Sequence, residues 1–102
     1  MRIPVIAICL LLSTATAEAS TRSFFSPKAE SQPISACLAD GQTCGKQAAD
    51  AFCQKQGFKE SILFARESVA TARILDSGGL CEGAQCQAFK RIKCYDPVAA
   101  NN

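Results

Sequence analysis

Cysteine is the residue type with the most chemistry to offer in this sequence. Seven occur (Cys9, Cys37, Cys44, Cys53, Cys81, Cys86 and Cys94), and histidine is absent. Thiols run redox chemistry, hold metals or close cross-links, and their spacing separates these uses. A redox pair wants Cys-x-x-Cys; the tightest spacing here is Cys81-x4-Cys86. A zinc site wants paired short spacings and a reducing environment. Without histidine there is no imidazole base, no Ser-His or Cys-His nucleophile pair and no imidazole ligand. The cysteines are therefore expected to be structural, with no catalytic residue, no metal and no cofactor.

The other candidate chemistry is thin. The acids Glu30, Asp40, Asp50, Glu60, Glu67, Asp76, Glu82 and Asp96 are spread along the chain. Glycoside hydrolysis needs two carboxylates at a fixed distance, and no pair stands out. Ser61, Ser68 and Ser77 have no histidine base. Asp40-Gly41 and Asp76-Ser77-Gly78 read as turns, because the oxygen ligands of a calcium loop are missing. The basic run Lys90, Arg91 and Lys93 has two readings. It is a solvated strand face that discourages edge pairing, or a contact patch for an anionic partner such as an envelope polysaccharide, an anionic lipid head group or an acidic protein. A Lys-Arg bond framed by disulfides could also be bait for a trypsin-like protease. The net charge of +2 is too small to argue for nucleic acid or an anionic membrane.

The elements that must position these residues begin with an address. Arg2 supplies a positive start, Ile3 to Leu12 are apolar apart from the early Pro4, and Ser13 to Ala19 are mostly small. This is the pattern of a secretory signal peptide over residues 1–19, cleaved after Ala17 or Ala19. Ten apolar residues are too few to span a bilayer, which takes about 20, so no transmembrane segment is expected after cleavage. Cleavage after Ala19 discards Cys9, Arg2 and Glu18, leaving six Cys and ten Lys/Arg against eight Asp/Glu. Six Cys in an exported chain imply three internal bridges, and a periplasmic or secreted location follows.

Residues 20–36 are Ser-rich, hold Pro27 and Pro33 and show no period, so a flexible leader is expected, with Phe24-Phe25 as its apolar spot. Residues 97–102 read as a tail. The folded domain is expected over 37–96. Its clearest element is a helix over about 44–56, with Thr43 as N-cap and Ala48, Ala49, Phe52 and Cys53 on one stripe. Lys46, Asp50, Gln54 and Lys55 take the outer face. Gly57 and Phe58 fit the two positions that close a Schellman cap.

Phe58 to Ala65 suits a strand by the parity of Phe58, Ile62 and Phe64, or a buried helix turn by its continuous apolar run. Val69 to Leu75 and Ala88 to Tyr95 read as strands that could pair antiparallel, with Leu80 to Gln87 as a connecting loop. In the second, alternation groups Ala88, Lys90, Ile92 and Cys94 on one face. The fold class expected is a small disulfide-stapled α+β domain, one helix on a short antiparallel sheet.

Cys44 and Cys53 on one helix would stand about 13 Å apart, beyond the roughly 7 Å that a disulfide tolerates. Cys53 is expected to reach a sheet or loop cysteine, and Cys37 to be pinned to the C-terminal half.

The rhythm Cys37, Asp40-Gly41, Cys44-Gly45, Ala48-Ala49-Asp50, Phe52-Cys53, Gly57-Phe58, then Cys81-Glu82-Gly83, Cys86, Phe89, Ile92-Lys93-Cys94 resembles small exported Cys-rich proteins of alphaproteobacteria such as rhizobia. The likeness covers about 60 residues. It implies a shared disulfide fold and export from a Gram-negative cell, and no activity. The spacing does not match a defensin-type frame. The function expected is a non-enzymatic binding module of the cell envelope or secretome. A secreted inhibitor or host-directed effector, and then a small enzyme, are the alternatives.

Overall fold

A computed structural model describes residues 19–97. The expected signal segment, its Cys9 and most of the C-terminal tail lie outside the described residues. The elements run β1 (Ser20–Phe25), β2 (Lys28–Ala29), β3 (Gln32–Pro33), α1 (Lys46–Lys55), β4 (Glu60–Ser68), β5 (Thr71–Arg73), β6 (Leu80–Glu82) and β7 (Gln87–Asp96). The described residues form an α+β domain with one helix, antiparallel strand pairs and three disulfides.

β7 is the organising strand. It pairs antiparallel with β4 on one side and β1 on the other. Beyond the end of β1, Ser35 continues the same edge by bridging to Ala88, and Ile34 bridges onward to Arg73 of β5. β5 then pairs with β6. The short pieces are thus linked through β7, whose inner face carries Phe89, Ile92 and Cys94, all fully buried.

The helix lays its expected stripe of Ala48, Ala49, Phe52 and Cys53 on that face. Cys53 bonds Cys94, joining helix to central strand as expected. Phe24 packs edge-on against Phe52, with ring centroids 5.0 Å apart, and Phe64 against Phe89 at 5.8 Å. Edge-to-face contacts of this kind add to the area that the rings bury.

The helix ends as its sequence dictates. Phe58 N–H donates to Cys53 C=O and Gly57 N–H to Gln54 C=O, with Gly57 at φ 94°, which is the Schellman arrangement. Its start differs from expectation. Gly45 is the N-cap and no side chain caps the first turn. The Thr43 hydroxyl is engaged by Asp40 Oδ2 at 2.6 Å, while Asp40 Oδ1 accepts the N–H groups of Gln42 and Thr43 at 2.8 Å.

That Asp40 turn corrects the expected pairing of Cys37. The loop folds back on itself, with Gly41 at φ 71° and Leu38 N–H donating to Thr43 C=O. Cys37 therefore lies opposite Cys44 and bonds it locally, instead of reaching the C-terminal half. Cys81 and Cys86 form the third bridge.

Three further expectations are corrected. Residues 20–36 are not a flexible leader: Ser20–Phe25 is a strand on β7, and Ile34 and Ala36 are buried. The segment is held by non-local pairing, which local composition does not reveal. The stretch 69–75 does not pair with 88–95. The Asp76–Gly79 turn reverses the chain at once, so β5 takes β6 as partner from within the expected loop; both flanks of β7 are occupied by β4, β1 and Ser35. Asp50 is not on the outer helix face but turns toward β4, where it is half-buried.

Candidate functional site

The site begins with two irregularities of pairing. Along β7, Arg91 faces Ala65 and Phe89 faces Arg66, leaving Lys90 as an extra residue. Along β4, Ser61 faces Cys94 and Leu63 faces Lys93, leaving Ile62 extra. Each is a β-bulge, and a bulge resets which face the following side chains take. Strict alternation would put Lys90 with Ile92 on the core side. The bulge frees it, and Phe89 takes the buried position instead.

The outcome is an outer sheet face with a defined composition. One row across the strands is Phe25, Arg91 and Ala65; the next is Ser23, Lys93 and Leu63. Lys90 and Arg91 line an open recess of about 370 Å³ with Phe25, Ser26 and Ala65. The Arg91 guanidinium carbon lies 5.8 Å from the centre of the Phe25 ring, within cation–π range. The three residues singled out in the sequence are thus brought together, and large apolar side chains stand among them. Phe25 is 69% exposed, Ile62 50% and Leu63 43%.

Sequence reasoning missed these three apolar members. Phe25 was visible as half of an apolar pair. Strand parity separates that pair, Phe24 to the core and Phe25 to solvent. Ile62 and Leu63 sat in an apolar run that looked buried; Leu63 faces Lys93 on the outer side, and the unpaired Ile62 is exposed in a recess shared with Lys46. Two carboxylates of β4 flank the cationic rows: Glu67 faces Ala88 on one side, and Glu60 faces Tyr95 on the other, where Lys46 engages it at 3.2 Å.

A second cluster is structural. Asp50 Oδ1 accepts the Ser61 N–H and hydroxyl, both at 2.7 Å, and Lys46 Nζ donates to Asp50 at 3.0 Å and to Glu60 at 3.2 Å. Burial opposes the charge on Asp50, but the hydrogen bonds from Ser61 and then Lys46 outweigh it and hold the carboxyl below its ordinary value. Lys46 is raised, chiefly by its hydrogen bond to Asp50. With Ser61 buried, its hydroxyl is committed to tying α1 to β4.

A cleft of about 260 Å³ beside the helix C-terminus has Lys28, Lys55 and Arg73 in its lining. Arg73 is spent on the fold, its Nη1 donating to Gly78 C=O at 2.8 Å and its Nη2 lying 3.4 Å from Glu30. The Lys90–Arg91 bond lies within a strand rather than in an exposed loop, with Arg91 paired on both sides.

No protein family, curated protein or solved structure matches the chain. Three disulfides point to folding in an oxidising compartment. Among the described residues no helix is long and apolar enough to cross a membrane.

Proposed function

We propose that the protein is a non-enzymatic binding module of the periplasm or secretome, exported behind residues 1–19, that holds an anionic envelope component on the outer face of its sheet. One observation carries the reading: bulges and strand register gather Lys90, Arg91 and Lys93 on one face of the sheet, Lys90 exposed and the other two half-buried. A cationic cluster raises the local concentration of an anion and contacts it through charge-assisted hydrogen bonds. The absence of histidine supports binding over catalysis, and the paired Lys90–Arg91 bond favours a contact surface over protease bait.

The test is retention on a dextran sulfate matrix. Wild type is expected to elute at clearly higher salt than Lys90→Ala/Arg91→Ala/Lys93→Ala, the difference shrinking as salt screens the charges. Lys90→Ala/Lys93→Ala, which leaves the partly buried Arg91 in place, is expected to elute between them. Equal elution of all three proteins would remove the basic face as a binding surface.

A further inference from the structure

We propose that the partner of this face is the surface of an anionic phospholipid bilayer, with Phe25 and Leu63 entering the head-group boundary and Lys90, Arg91 and Lys93 engaging lipid phosphates. The inference rests on the reading of the face as anion-binding and names its partner.

Net charge gives no such argument; the pattern on the face does. Each cationic row includes an exposed large apolar side chain, Phe25 opposite Arg91 and Leu63 opposite Lys93. A bilayer boundary offers both environments at once, acyl chains below and phosphates at their rim. A soluble polysaccharide would meet the cations and leave Phe25 and Leu63 in water.

Size argues against a protein partner. Outer strands about 10 Å apart and two rows about 7 Å apart frame about 70 Å² of backbone, and side chains reaching a few ångströms past each edge bring the patch to on the order of 200 Å². A stable protein interface takes roughly 800 Å² from each side. A lipid surface asks for no complementary shape, and the recess between Phe25 and Lys90 leaves room for a head group.

The exported protein carrying Phe25→Trp is the reporter, because the chain has no other tryptophan. With vesicles containing phosphatidylglycerol, its emission is expected to shift to the blue and to be quenched by bromines placed near the head groups. With phosphatidylcholine vesicles it should stay unchanged. In sedimentation of the otherwise unaltered protein with phosphatidylglycerol vesicles, Lys90→Ala/Arg91→Ala/Lys93→Ala should lower partitioning about 100-fold, each cation adding to the attraction. Phe25→Ala should lower it by about tenfold.

Unshifted emission, or equal sedimentation of the charge variant, would overturn the proposal. Retention on dextran sulfate that needs the three cations, without vesicle binding, would overturn the bilayer as partner and leave the basic face standing. Loss of both would overturn both.

Discussion

Asp50 shows how much of this molecule turns on single polar atoms. Its Oδ1 is the acceptor for both donors of the buried Ser61, so Asp50→Ala would leave a hydroxyl and an N–H without a partner inside the helix–sheet joint. The expected cost is about 2–3 kcal/mol in urea unfolding, with Asp50→Asn less damaging because its amide oxygen still accepts. The pH dependence has a definite sign. The folded state holds the Asp50 carboxyl below its ordinary value of 3.8, so its contribution is complete above that value and is lost as pH falls through the lowered one. Wild-type stability should be flat from about pH 7 to pH 5 and fall below about pH 4, and Asp50→Asn should fall less. A steeper acid loss in Asp50→Asn would contradict this. The pair was not legible in the sequence. Asp50 follows the polar side of a helical wheel, and only the seating of β4 beside it turns that side into an interior.

At the scale of elements, the helix was legible and the strands were partly so. Ala48, Ala49, Phe52 and Cys53 repeat at helical spacing, and Gly57-Phe58 carries the cap, so local residues alone specify α1. β7 was visible from its alternation up to Lys90, where a bulge invisible to any periodicity changes the faces. β1 gains its order from β7, and β3 from β2 and its packing on β5, which is why their polar, proline-bearing sequence looked like a leader. The turn between β2 and β3 gives an element-scale prediction. Glu30 and Ser31 both have positive φ, at 53° and 70°, as a two-residue turn joining right-twisted strands requires and as Asn-Gly supplies with less strain. Glu30→Asn/Ser31→Gly should gain about 1 kcal/mol, after allowing for the exposed contact of Glu30 with Arg73. A loss of stability in thermal unfolding would show that this turn does not set the hairpin.

For the whole molecule, the frame that presents the cationic face is β7 held between β1 and β4 with α1 fastened behind it. Fold class, the cysteines as staples and the Cys53 connection to the sheet could be read from residue types and helix geometry. The partner of Cys37 could not, because it depends on the carboxylate of Asp40 folding six intervening residues into a turn. The bridges should contribute unequally. Cys53–Cys94 spans a sequence separation of 41 and Cys37–Cys44 one of 7, so chain-entropy reasoning assigns about 4 kcal/mol to the first and about 2.5 to the second. The most direct test of the frame is a non-reducing peptide map of the exported protein by mass spectrometry. The predicted result is three linked pairs, Cys37–Cys44, Cys53–Cys94 and Cys81–Cys86, with no free thiol and no peptide containing Cys9. A map linking Cys37 to the C-terminal half, or finding Cys53 or Cys94 free, would contradict the fold and the face built on it.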